Sequence, residues 1–247
     1  MALFEAHNVH KRFGSRIVLE DISLQFEEGQ VSGIMGPNGA GKTTCFHVMT
    51  GHLSPTRGRI CLAGQDIAGM PPHKIARKGV SRSFQIMNLF DDSTVIENVL
   101  VALLDFRAQS WNARTPAFGD SKLITQAQEI LHQVGLDGME WEPSVSLSYG
   151  NRRALEIGVA LAARPRILFL DEPTSGLGLE ATRKLAGLIR QLRDTYTIVI
   201  IEHDMRFLFD LADKISVVHW GQVIAEGTPG ELMSNKWVKR SALGDLG

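Results

Sequence analysis

The sequence predicts an α/β fold with a mixed core sheet, an N-terminal antiparallel β region and an inserted helical lobe. Three observations point there. Short β-branched apolar runs at 31–35, 167–170, 198–201 and 215–218 alternate with helical segments at 180–193 and 205–212, the rhythm of a buried parallel sheet. The first thirty-odd residues read instead as successive strands. Between about 85 and 163 the strand signals fade and helical ones replace them.

In chain order, strands are expected at 3–9 and 17–26, followed by a turn at Glu28-Gly29 and the strand 31–35. A helix starts near Gly41 or Lys42. The turn Ser54-Pro55-Thr56-Arg57-Gly58 leads to a strand at 59–63, a short helix after Pro71-Pro72 and a strand at 80–84. Residues 95–106, 123–134 and 150–163 look helical around a loop rich in Ser, Asn, Thr and Pro. A strand at 223–225 and a short helix after Pro229 precede the basic stretch Lys236-Trp237-Val238-Lys239-Arg240. The expected organisation is a single domain, with 1–86 and 165–247 as α/β core and 87–164 as helical subdomain.

Composition sets the class. A chain of 247 residues, 44% hydrophobic and 21% charged, can bury a substantial core and is neither disordered nor fibrous. Lys plus Arg number 26 against 27 acidic residues, so no global basic field exists to hold nucleic acid, and any phosphate affinity must be local. Cys45 and Cys61 form no CxxC or Cys/His cluster, which argues against zinc or a disulfide framework and for a reducing compartment. The N-terminus lacks a basic start and apolar core of a signal peptide, and no apolar run approaches the roughly 18 residues of a membrane helix. The chain is not expected to cross a bilayer by itself.

Gly36-Pro37-Asn38-Gly39-Ala40-Gly41-Lys42-Thr43 matches G-x-x-x-x-G-K-[ST] and lies between an expected strand and an expected helix, the context that motif requires. Glycines let successive N–H groups turn inward, and the helix start adds partial positive charge, making a nest for β- and γ-phosphate oxygens. Lys42 supplies a mobile cation. The Thr43 hydroxyl is placed to ligate Mg²⁺, and Thr44 to reach the α-phosphate. ATP and Mg²⁺ are therefore the expected cofactors.

Leu168-Phe169-Leu170-Asp171-Glu172 completes an apolar strand with two acids at the carboxyl edge of the sheet, where nucleotides bind. Strand alternation sends the two side chains in different directions. Asp171 would hold Mg²⁺ through its water shell, while Glu172 would face the γ-phosphate and polarise the attacking water as general base.

After the lobe comes Leu147-Ser148-Tyr149-Gly150-Asn151, and with it the chain resembles the ATP-binding subunit of an ABC (ATP-binding cassette) transporter, whose signature is an LSGGQ-like pentapeptide. The resemblance implies a P-loop NTPase cassette fold in which the signature residues Ser148, Tyr149, Gly150 and Asn151 close on ATP held by a second ATPase subunit, a like or unlike copy. It places Phe13 where an aromatic ring stacks on adenine, and Gln85 where an amide contacts Mg²⁺ and the attacking water. It makes His203 the switch histidine that bonds the γ-phosphate and orients Glu172 or water. Two positions depart from the pattern: Gly178 stands where the loop after Glu172 usually carries Asp or Asn, which puts coupling between sites in question, and Asn151 replaces the usual Gln, shortening its reach by one methylene.

Val80-Ser81-Arg82-Ser83-Phe84-Gln85, Asn88-Leu89-Phe90, Thr94-Val95-Ile96-Glu97-Asn98, the loop near Trp111 and Tyr149 look like the subfamily of branched-chain amino acid importers. Members of that subfamily also serve amides, urea and aromatic acids. The implied partners are transmembrane permease subunits and, indirectly, a periplasmic or extracellular solute-binding protein, with the chain peripheral on the cytoplasmic face of the membrane. A soluble ABC ATPase acting on ribosomes or DNA would share every nucleotide motif, but its usual tandem cassettes, coiled-coil insertions or basic extensions are missing from this sequence. A P-loop kinase has no place for Glu172, the signature and His203 together.

Overall fold

The computed structural model describes residues 2–83, 89–103 and 120–235. In chain order its elements are β1 (Ala2–Phe13), β2 (Arg16–Glu27), β3 (Val31–Met35), α1 (Lys42–Met49), β4 (Arg57–Leu62), β5 (Gln65–Asp66), α2 (Pro72–Arg77) and β6 (Val80–Arg82). There follow α3 (Val95–Leu100), α4 (Ser121–Gln133), α5 (Tyr149–Leu161), β7 (Ile167–Asp171), α6 (Leu179–Leu192), β8 (Thr197–Glu202), α7 (Met205–Leu211), β9 (Lys214–His219), β10 (Gln222–Gly227) and α8 (Pro229–Ser234). The chain divides into two compact units: Met1–Arg82, Arg166–Pro173 and Arg193–Gly247 in the first, Ser83–Pro165 and Thr174–Leu192 in the second.

The first unit contains both sheets. An antiparallel sheet runs in the order β2-β1-β4-β5. The second sheet runs β10-β9-β3-β8-β7-β6, parallel from β9 to β6 with β10 antiparallel at its edge. Every residue of β3, β7 and β8 is buried. That is why these strands read as unbroken apolar runs: both faces are covered, so no solvent side requires alternation. Met35 pairs with Glu202, and Asp171 with Ile201, so three neighbouring strands end together and their following loops leave one edge.

Between the sheets' apolar faces lies a core that includes Leu3, Phe4, Ile22, Phe26, Phe46, Ile60 and Phe169. Phe169 packs edge-on against Phe4, Phe26 and Phe46, with ring centroids 5.3, 6.0 and 6.2 Å apart. Such edge-to-face contacts add to the burial of a large ring. Phe169→Ala would leave a cavity bordered by three aromatic rings and is expected to cost about 3–5 kcal/mol in urea unfolding; a loss under about 1 kcal/mol would show that the core collapses around the gap.

The second unit is helical. Thr94 and Glu97 form a reciprocal capping box at the start of α3, Asp120 caps α4 and Ser148 caps α5. Within α5 the buried Arg153 pairs with the buried Glu156 one turn on. Gly150 lets α5 approach α6 closely, since a Cβ there would stand 3.2 Å from that of Ala181.

Several boundaries differ from the sequence reading. The strand expected at 3–9 runs on to Phe13, because Asn8 turns left-handed (φ 47°), the register shifts there, and pairing resumes through His10 with Arg57 and Phe13 with Arg16. The strand expected at 80–84 ends at Arg82, and the helix expected from 95 ends at Leu100. β5 is only two residues long and has no sequence signal of its own. Gln85, Trp111, much of the loop at 107–120 and the basic stretch 236–240 lie outside the described residues.

Candidate nucleotide site

The phosphate loop follows β3 at the carboxyl edge of the parallel sheet. Its backbone is locked in place from the neighbouring strand: a Cβ on Gly36 would come within 2.0 Å of the Val218 carbonyl oxygen, so no larger residue fits. Further along, the Gly221 N–H donates to the Ala40 carbonyl (2.9 Å). α1 then begins at Lys42, with no acidic residue in its first turn to neutralise the positive helix end. Asn38, Gly39 and Thr43 are exposed, Pro37, Gly41 and Thr44 half-buried, and Gly36, Ala40 and Lys42 buried.

Lys42 donates from Nζ to the carbonyls of Gly36 (2.7 Å) and Pro37 (3.1 Å). Burial pulls its pKa down, while Glu172, Asp171 and Glu202 push the other way. The three acids come from the end of β8, which pairs with β3, and from the end of β7 on the far side of β8. Asp171 ends β7 and is buried; Glu202 ends β8, is fully buried and accepts from the N–H groups of His203 (3.0 Å) and Asp204 (3.4 Å).

Glu172 is half-buried and has a left-handed backbone (φ 44°), held by its N–H on the Ile201 carbonyl (2.8 Å). The strand therefore ends at Asp171, and it is this turn that redirects the second acid. A non-glycine residue at that φ is uncommon and costs of order 1 kcal/mol, a strain typical of functional sites. His203 Nδ1 stands 3.8 Å from Glu172 Oε1 and 3.6 Å from Glu202 Oε2, and its side chain is more than half exposed. Asp204 fixes the loop after it by capping α7 through the N–H groups of Arg206 and Phe207.

Arg82, at the end of β6, is a neighbour that sequence reading did not single out. Its guanidinium donates toward His47 Nδ1 (3.3 Å) and His52 Nε2 (2.7 Å), lies 5.4 Å from the Phe46 ring centroid and attracts Asp171 electrostatically. Burial, then the charge of Glu172, raises the Asp171 pKa to about 6, against the pull of Arg82 and Lys42. Folding thus favours the protonated acid: that stabilisation is complete below the ordinary value of 3.8 and is lost as pH rises through about 6. Asp171→Asn, which stays neutral, is expected to be more stable than the parent at pH 8 without divalent ions, by about 1.4 kcal/mol per unit of relieved shift. The gap should narrow toward pH 5; urea unfolding at both pH values measures it, and equal stabilities at pH 8 would contradict the burial argument.

Phe13 ends β1 half exposed, with Lys11 Nζ 5.1 Å from its ring centroid. It is a surface ring and not part of the core. Ser148, Tyr149, Gly150 and Asn151 belong to the helical unit. Ser148 Oγ accepts from the Asn151 N–H (3.2 Å), Tyr149 donates from its hydroxyl to the Ser175 carbonyl (3.2 Å), and Asn151 Nδ2 donates to Met139 Sδ. Within that unit Ser148, Gly150 and Asn151 border a groove of about 720 Å³ together with Gly178, Ala181 and Lys184. A Cβ on Gly178 would meet nothing within 4 Å, so a side chain fits there without strain in packing. Cys45 is buried, its thiol pushed up to about 12, which keeps it inert.

The family model for ABC transporters matches residues 19–175, the span from β2 through the phosphate loop, the signature and β7. The chain belongs to the ABC transporter family. It is 40% identical over 250 residues to the high-affinity branched-chain amino acid transport ATP-binding protein BraF of Pseudomonas aeruginosa, 98% of each chain being covered. It is 38% identical, with the same coverage, to LivG of Escherichia coli K12, which carries the same description. The lipopolysaccharide export system ATP-binding protein LptB of Haemophilus influenzae is 34% identical over 99% of this chain and 98% of its own. The ADP conformation of MJ1267, an ATP-binding cassette of an ABC transporter, superposes with a TM-score of 0.88 at 27% identity, covering 99% of this chain and 100% of that one. The fold is that of the ABC cassette, and the chain is a nucleotide-binding ABC ATPase.

Proposed function

We propose that this chain powers import of branched-chain amino acids through separate membrane permease subunits, hydrolysing ATP at the cytoplasmic face in partnership with a second cassette. The observation that carries the reading is the meeting, at one sheet edge, of the phosphate loop with Lys42, the turned-out Glu172 and His203 at 3.8 Å from it. The near-full-length similarity to BraF and LivG supports the solute class. No helix among the described residues is long and apolar enough to cross a membrane.

In this reading the loop amides and Lys42 hold the β- and γ-phosphates, Thr44 supports the α-phosphate and Phe13 stacks on adenine. Glu172 takes the proton of the attacking water, and His203 orients it and the γ-phosphate. Mg²⁺ fits the donors present: Thr43 offers a hydroxyl and Asp171 a carboxylate, hard oxygen ligands of the kind Mg²⁺ takes in ones and twos alongside phosphate and water. When bound, the ion neutralises charge on the transferring phosphoryl group. Gln85 would join this set, and Ser148, Tyr149, Gly150 and Asn151 would serve the partner cassette's nucleotide.

The test is to tag the chain in its native cell, solubilise membranes in mild detergent and identify its companions by mass spectrometry. Two polytopic permeases with a second cassette, and a cognate binding protein that takes leucine, isoleucine or valine, is the expected result. A binding protein selective for urea, amides or aromatic acids would move the solute class. Ribosomal or DNA-repair proteins without a membrane subunit would overturn the transport reading.

A further inference from the structure

The hairpin between β9 and β10 turns through two residues, Trp220 and Gly221, both left-handed (φ 49° and 74°). Positive φ at both central positions defines the type I′ turn, whose first position favours Asn, Asp or Gly. A bulky aromatic pays steric strain there, so its presence asks for a function. Trp220 is also 82% exposed, the most exposed of the large apolar side chains described, with the His219 ring set edge-on against it (5.6 Å).

The turn is bonded to the nucleotide site. Gly221 donates to Ala40 in the phosphate loop, and its own carbonyl accepts from the Glu20 N–H (2.8 Å). A Cβ on Gly221 would strike the Val18 carbonyl at 2.3 Å, and one on Gly41 would come within 3.0 Å of the same oxygen. Next to Val18 is Ile17, 60% exposed, which pairs with Arg12 beside the half-exposed Phe13. Trp220 thus adjoins the phosphate loop and the start of α1 through Gly221, and the exposed Ile17 and Phe13 lie on the β1–β2 hairpin whose Val18 packs against the same two glycines.

We propose that Trp220 is a nucleobase-positioning residue: its indole forms a second wall, with Phe13, for the base of the nucleotide whose phosphates the loop holds. The inference rests on the ATPase reading above and deepens it. A flat π-system is the ligand chemistry that suits two exposed aromatics beside a phosphate nest, and base stacking is tolerant of base identity.

The experiment is isothermal titration of the purified full-length chain with ADP and, separately, with inorganic tripolyphosphate, which has phosphates and no base. Trp220→Asn suits the turn better than Trp, so it should fold at least as well, which thermal unfolding checks. The expected result is ADP affinity lowered roughly 5- to 50-fold with tripolyphosphate affinity unchanged, and recovery in Trp220→Phe. ADP affinity equal to the parent's would overturn the proposal and leave the indole to another protein. Equal losses for both ligands would overturn it too, showing that the turn only braces the loop. Failure of the parent to bind either ligand would instead bring down the ATPase reading, and this inference with it.

Discussion

Glu172→Gln is expected to lower steady-state ATP hydrolysis at least a hundredfold while ATP affinity stays within a few-fold of the parent. Glutamine keeps the size and hydrogen-bonding reach of the side chain but cannot take a proton, and general-base assistance is typically worth 10²–10⁴ in rate. The backbone argues that the change stays local. Glu172 holds its left-handed turn through its own N–H on Ile201, which the substitution leaves intact. Phosphate release and calorimetric binding measured on the same preparation separate the two effects. A variant hydrolysing within about fivefold of the parent would remove Glu172 from the chemical step.

Lys42→Ala is expected to abolish ATP binding at concentrations that saturate the parent, a loss of at least a hundredfold in affinity. Two effects act together. The variant removes the cation that donates to the loop carbonyls of Gly36 and Pro37, and with it the proposed charge-assisted contact to phosphate. It also leaves Asp171, Glu172 and Glu202, which all interact with Lys42, without its compensating charge, so an incoming polyanion meets a more negative site. Lys42→Arg keeps the charge but not the compact ammonium, and should recover part of the affinity. Tight ATP binding by Lys42→Ala, with thermal unfolding matching the parent, would contradict the role given to the loop.

Much of this site is legible before any coordinates because its parts are local in sequence. A glycine-rich loop between strand and helix, or two acids ending an apolar strand, carries its context with it. Parallel-sheet topology then does the assembling: β3, β7 and β8 are neighbours, so motifs some 130 to 170 residues apart emerge at one edge. What was not legible depends on tertiary position. Arg82 is an unremarkable cation at a strand end until the fold sets His47, His52 and Phe46 around it. Nothing in the sequence singles out Trp220, which the backbone places at the tip of a tight turn. Phe13 ends half exposed, which its aromatic side chain at the close of a strand does not announce. Asn8 shows the reverse case, where a polar residue breaks the alternation and hides the rest of β1, because a bulge costs the pattern and not the strand.

The role of Gly178 follows from the same local logic. The loop Thr174-Ser175-Gly176-Leu177-Gly178 receives the Tyr149 hydroxyl at Ser175, and open space surrounds the missing side chain. The departure therefore removes a polar group without altering the packing of the helical unit.

The central claim is that this ATPase drives solute import, and the most direct measurement is ATP hydrolysis by the assembly co-purified from membranes and reconstituted in proteoliposomes. Adding its solute-binding protein loaded with leucine is expected to raise hydrolysis several-fold, and Glu172→Gln in this chain to suppress that increment. Hydrolysis indifferent to the loaded binding protein, or stimulation that survives Glu172→Gln, would contradict the account.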